Sequence, residues 1–138
     1  MREKSIFELV CGVAGGLTGF LFGAADGLFY ALITFTVLDY LTGVAGAAIH
    51  KDLSSKVGFG GICKKLMVFV IVALANIIDI QVLGGAHGVL RNTVVAFLLA
   101  NEGLSILENI GNAGMPVPAR LKEVLKQLKE DNRGDKNG

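Results

Sequence analysis

VVAFLLANEGLSILENIGNAGMPVP, residues 94–118, opens as a membrane-type apolar run, then carries Glu102, Glu108 and three asparagines before Pro116 and Pro118 stop it. Whether this stretch crosses a membrane decides between three and four spans. On a helix turning about 100° per residue, with Asn101 at the origin, Glu108 falls at about −20°, Asn112 at about 20°, Ser105 at about 40°, Asn109 at about 80° and Glu102 at about 100°. Arg91, three turns earlier, falls at about 80°. These polar groups share an arc of about 120°, and Leu104, Ile106, Leu107 and Ile110 fill the opposite side. Such a helix belongs in the interior of a bundle, beside a water-filled lesion, or on a membrane surface. The two glutamates fit poorly against an anionic leaflet, so the interior or water-lined environments are preferred over the surface.

The rest of the chain supports a membrane setting. Of 138 residues, 52% are apolar and 18% charged, with a mean hydropathy of +0.59. A soluble domain of this size lacks the interior to bury that much apolar surface. No Lys or Arg occurs between Lys4 and Lys51, within 66–90, or within 92–119. A span needs about 20 mostly apolar residues, so the first interval holds two spans and the others one each. The expected fold is an all-α integral membrane protein with about four transmembrane helices, near 6–23, 28–49, 66–83 and 89–110. Residues 1–112 form the membrane domain. Residues 113–138 form a cytoplasmic segment: an amphipathic helix with Leu121, Val124, Leu125 and Leu128 on one face, then a polar, disordered tail DNRGDKNG.

Turn signals separate the spans: Ala24-Ala25-Asp26-Gly27, the polar glycine-rich loop HKDLSSKVGFGGICKK (50–65), and Gly84-Gly85-Ala86-His87-Gly88. Of the 13 Lys and Arg residues, all but Arg91 fall on one side if both termini and the 50–65 loop are cytoplasmic. A three-span arrangement would put a basic cluster outside. The start of the chain also resembles a cleavable signal peptide, but the glycines within its apolar run argue against one. Cys11 and Cys63 are too few and too misplaced for a disulfide framework.

Small and polar residues mark the helix faces. Gly15, Gly19 and Gly23 are four apart, as are Gly12 and Gly16, a spacing that lets helix backbones approach in lipid. Asp39 lies mid-span, with Thr36, Gly43, Gly46 and His50 on its face. Asn76 and Asp79 lie one turn apart on the third span. For Asp39, static packing and the lining of an aqueous path are equally good readings. For Asp79, near the end of its span, packing or contact with headgroups is favoured. Glu102 needs a partner in a neighbouring helix or subunit, with backbone amides and Asn76 as candidates. The candidate oligomerisation face is therefore Gly12, Gly15, Gly16, Gly19, Gly23, Gly43 and Gly46. The candidate polar or pore-lining face is Asp39, Asn76, Asp79, Asn101, Glu102, Ser105, Glu108 and Asn109.

No enzyme chemistry is legible. His50 and His87 lie in different turns, and no Cys, His and carboxylate cluster has metal-ligand spacing. VGFGGICKK lacks a phosphate-cradle pattern, so no cofactor or metal is expected. The basic tail suits anionic headgroups, and it has no aromatic residue for stacking on nucleic acid.

LDYLTGVAGAAIHKDLSSKVGFGGICKK (38–65) resembles the central signature of the toxin-secretion and phage-lysis holins (phage holin family 4, which includes clostridial toxin-export holins). The elements shared are Leu38-Asp39, Thr42-Gly43, the small residues to Ala48, Ser54-Ser55, Gly58, Gly61 and Lys64-Lys65. ANEGLSILENIGNAGMPVPARLKEVLKQLKE (100–130) resembles the second signature through Asn101-Glu102, Ser105, Glu108-Asn109, Gly114, the prolines and a Leu/Lys helix. Together they cover about half the chain. The resemblance implies a homo-oligomer in the bacterial cytoplasmic membrane that forms lesions, releases an endolysin or a toxin, and collapses the membrane potential. A small ion or proton channel, or a transporter subunit using Asp39, Asp79 and Glu102, is the rival reading; the absence of an internal repeat weighs against a transporter. A purely structural membrane adaptor is a second rival. No second start codon near the N-terminus suggests a dual-start antiholin.

Overall fold

The computed structural model describes residues 2–85 and 88–133, apart from the side chain of Val57. The described residues form five helices and no strand: α1 (Arg2–Phe22), α2 (Gly27–Ile49), α3 (Ser55–Gln81), α4 (Val89–Asn112) and α5 (Ala119–Asp131). The first four each contain a stretch long and apolar enough to cross a membrane. Residues 94–112, the stretch in question, are helical throughout. Ala86 and His87 of the turn expected at 84–88, and residues 134–138 of the expected tail, lie outside the described residues.

α4 is the centre of the bundle and packs on α2, α3 and α5, whereas α1 lies against α3 at the edge. Leu32, Val68, Val72, Val95 and Leu98 form the core where α2, α3 and α4 meet. Phe22, Phe29 and Phe69 join α1 to it: the Phe22 and Phe29 rings stack at 5.3 Å, and Phe69 meets both edge-on at 6.3 Å. α1 buries no residue at all, and Phe7 is 70% exposed. Outward-facing apolar side chains of this kind suit lipid, which is as apolar as they are.

The loop expected over 50–65 is mostly helix, because α3 begins at Ser55 and only residues 50–54 connect α2 to it. Its glycines serve helix packing. A Cβ on Gly58 would stand 3.6 Å from Tyr40 Oη, and one on Gly61 would stand 3.5 Å from Tyr40 Cε2, so the missing side chains make room for the Tyr40 ring. Asp26 starts α2 by accepting from the Phe29 N–H at 2.9 Å. Gly114, at φ +87°, follows the end of α4, and Pro116 and Pro118 prevent the helix from resuming before α5.

α5 folds back along α4. Gly103 has no side chain, and Leu125 of α5 and Phe35 of α2 fill the space: a Cβ there would lie 2.9 Å from Leu125 Cδ1 and 3.2 Å from Phe35 Cε2. Further along, Lys129 Nζ donates to Asn101 Oδ1 at 2.8 Å and sits 5.8 Å from the Phe97 ring centre. The charged helix therefore lies beside the middle of α4.

Candidate functional site

Two polar clusters sit at different levels of the bundle. The first joins α2, α3 and α4. Lys65 of α3 donates to Asp39 Oδ2 of α2 and, at 2.6 Å, to Glu102 Oε2 of α4. Asn109 Nδ2 donates to the other oxygen of Asp39 at 2.9 Å, and also reaches the Asp39 carbonyl at 3.2 Å and Thr42 Oγ1 at 3.0 Å. Glu102 is 2% and Asp39 5% exposed, and the Lys65 side chain 22%. Asp39 precedes the end of α2 at Ile49 by ten residues, Glu102 precedes Asn112 by ten, and Lys65 follows Ser55 by ten. At 1.5 Å per residue each lies about 15 Å from the same end of the bundle, half the thickness of a bilayer core. His50 Nε2 pairs with the Asn112 carbonyl at 3.0 Å, which ties the ends of α2 and α4 together there.

Charges at that depth are costly unless paired and hydrogen-bonded. The fork of three helices onto one ammonium supplies a hydrogen-bonded counter-charge to both carboxyl groups. A cavity of about 230 Å³ adjoins it, with Leu53, Tyr40, Ser105 and Asn109 in its wall.

The second cluster lies toward the opposite end. Arg91 is buried and donates from Nε to the Phe22 carbonyl (2.9 Å), from Nη2 to the Ala24 carbonyl (2.8 Å), and from Nη1 to Asp26 Oδ2 (2.6 Å) and Asn92 Oδ1 (3.0 Å). One α4 side chain thus holds the α1–α2 turn. Burial raises the Asp26 carboxyl, but the hydrogen bond from Arg91, the Phe29 N–H and the Arg91 charge outweigh it and hold the group below the usual carboxylate range. Asp79, 1% exposed, accepts from the Leu90 N–H (3.2 Å) and the Arg91 N–H (2.6 Å), so a side chain of α3 caps α4. Asn76 donates to the Phe20 carbonyl at 2.9 Å.

The candidate residues therefore separate. Asp39, Glu102, Ser105 and Asn109 meet in the first cluster or its cavity, with Gly43 against Asn109. Asn76 and Asp79 belong to the second. Asn101 faces α5, and Glu108 is exposed. Gly12, Gly15, Gly16, Gly19 and Gly46 have open space where a Cβ would be. Gly23 lies past the end of α1 at φ +74°, and a Cβ there would stand 2.6 Å from Asn76 Oδ1; it is a turn glycine in close contact. The partner of Glu102 is Lys65, not Asn76 or a backbone amide. Lys65 escaped the sequence reading because the Lys64-Lys65 pair looked like the end of a loop. The signal that would have found it is its spacing: it begins an apolar run already inside a helix.

Residues 16–130 match the Bacteriophage holin family. The chain belongs to the bacteriophage holin family. Within that setting, a probable holin of Bacillus phage phi105 is 36% identical over 113 residues, covering 82% of each chain. An uncharacterized protein of Listeria monocytogenes is 40% identical over 128 residues, covering 89% of this chain and 90% of that one. An uncharacterized 14.9 kDa protein of Clostridium perfringens is 40% identical over 114 residues, covering 83% and 86%. No solved structure matches. The holin-family match spans both clusters and α5, so the charged fork lies inside the family's own region.

Proposed function

We propose that this holin-family membrane protein oligomerises in a bacterial cytoplasmic membrane and forms lesions that let an endolysin, or a toxin, reach the cell wall or exterior. The observation that carries this reading is the Asp39–Lys65–Glu102 fork at the mid-depth of an otherwise apolar bundle. Packing alone is served more cheaply by apolar residues. A fork of charges can be closed within one bundle and reopened around water. α5 supports the same reading: Lys129 lies alongside the central part of α4, a place where lipid would be an unsuitable neighbour for a charge and water or protein a suitable one. The open glycine positions of α1 offer a self-association face. The protein acts without catalysis, and its functional link to the endolysin or toxin is through the lesion.

Both termini and the α2–α3 connection are assigned to the cytoplasm from the Lys and Arg distribution. In a chain with Cys11 and Cys63 replaced, cysteines at positions 3, 56 and 130 should resist labelling from outside intact cells; labelling at position 3 contradicts the four-span topology.

The functional test is expression in a bacterium with and without a cytoplasmic endolysin. A holin gives abrupt lysis only when the endolysin is present. A small ion channel depolarises cells without releasing the enzyme, and a static adaptor does neither. Gly19→Leu should delay or abolish lysis if the α1 face is an interface.

A further inference from the structure

The charged fork does not balance. It has two carboxyl groups and one ammonium, so with all three ionised it carries one negative charge. The other groups on the cavity wall beside it are neutral: the Tyr40 phenol of α2, and Ser105 and Asn109 of α4. From α5, Lys129 is engaged by Asn101, and the charged residues of α1, Arg2, Glu3, Lys4 and Glu8, are exposed. An unbalanced charge at this depth is as unfavourable as any unpaired charged side chain inside a membrane.

The two carboxyls are not equivalent. Asp39 accepts side-chain hydrogen bonds from two donors, Lys65 on one oxygen and Asn109 on the other. Glu102 accepts from Lys65, and its carboxyl also stands within hydrogen-bond reach of the Asp39 carboxyl. Donors therefore occupy both oxygens of Asp39 but only one of Glu102, and the geometry leaves Glu102 as the place for a proton. The cavity that ends at Asp39 and Lys65 is also walled by Leu53, in the α2–α3 connection, and by Gly58, in the first turns of α3. It thus runs from that end of the bundle to the fork. At about 230 Å³ it holds several waters at about 30 Å³ each.

We propose that the fork and its cavity are a proton-binding site: Glu102 carries one exchangeable proton at rest, passed by way of Lys65 and Asp39, which line the cavity, to and from its water at the α2–α3 end. Loss of that proton to cavity water converts Glu102 to a carboxylate and leaves a net negative charge among α2, α3 and α4. Hydrating that charge favours water between the helices. This last step rests on the lesion reading; the proton site does not.

The experiment is infrared spectroscopy of the whole protein in phosphatidylethanolamine–phosphatidylglycerol vesicles, following the protonated-carboxyl C=O stretch. At neutral pH the wild type should show a protonated carboxyl that fades as pH rises. Side-chain 13C labelling of glutamate should shift it, and labelling of aspartate should not. Charge balance predicts its loss in both Glu102→Gln and Asp39→Asn, each of which leaves one carboxylate facing one ammonium. A wild-type spectrum without a protonated carboxyl at neutral pH, or a band that persists in Glu102→Gln, overturns the proposal. In the same vesicles, dye leakage should rise with pH in the wild type and lose its pH dependence in Glu102→Gln. If the infrared results hold and leakage is indifferent to pH, the proton site stands and its coupling to lesion opening fails.

Discussion

Arg91 offers the sharpest test of how the bundle is held. Among the described residues, its guanidinium makes the side-chain hydrogen bonds that tie the α1–α2 turn to α4, through the Phe22 and Ala24 carbonyls and Asp26. Arg91→Leu keeps the apolar stem and removes every donor. The bond to the half-buried Phe22 carbonyl is charge-assisted and is worth about 1.5–3 kcal/mol. Ala24 is exposed, so water replaces most of its bond, leaving a loss of about 0.5–1 kcal/mol. The Asp26 side chain is 39% exposed, and solvent screening limits its ion pair to about 0–1 kcal/mol. The sum is about 2–5 kcal/mol for detachment of the turn. Because about 1.4 kcal/mol is a factor of ten, amide hydrogen exchange over residues 20–30 should accelerate by about 1.5 to 3.5 orders of magnitude. Exchange over 68–75, in the α3 core, should change far less. Arg91→Lys should fall between, since an ammonium cannot match the planar fork. If exchange over 20–30 in Arg91→Leu stays within about threefold of wild type while the helices persist, Arg91 does not hold the turn and the reasoning fails.

Other expectations follow from the same contacts. Asp79→Ala removes the acceptor for two N–H groups at the start of α4 and should cost about 1–2 kcal/mol, visible as faster exchange over 89–92; Asp79→Asn should recover part of it. The Asp26 carboxyl is held low by Arg91, so its contribution is present above the ordinary carboxylate range and lost as pH falls through its depressed folded-state value; acid unfolding below about pH 4 should be blunted in Asp26→Asn, and no Asp26-linked change should appear between pH 5 and 7. Leu125→Ala vacates the space over Gly103, and Gly103→Leu overfills it. Either should loosen α5 by about 1–2 kcal/mol, less than for a fully buried leucine, and speed tryptic cleavage after Lys126 about tenfold; unchanged cleavage in both variants would mean that α5 is not held at Gly103.

Much of the architecture was legible in the chain. Long intervals without Lys or Arg, interrupted by glycine and proline turns, specify four apolar helices, because a continuous apolar run of about 20 residues satisfies its own backbone in a bilayer only as a helix. The amphipathic period of α5 and the family resemblance in 38–65 and 100–130 were equally readable. The uneven polarity of residues 101–112 marked α4 as a helix needing protein or water beside it.

Partnerships were not legible, because pairing depends on which helix faces arrive at the same height. Lys65 looked like a loop lysine until α3 was seen to start at Ser55, and only then does it stand ten residues deep beside Asp39 and Glu102. Gly23 fits a helix stripe by spacing, yet its backbone takes the turn and its missing Cβ leaves room for Asn76. Arg91 looked isolated, since its acceptors are backbone carbonyls and an aspartate from a segment more than sixty residues earlier. Composition and period determined which segments enter the membrane and which faces are polar. The tertiary structure alone decided which charge meets which, because electrostatic pairing acts over a few ångströms and sequence spacing along one helix cannot report distances between helices.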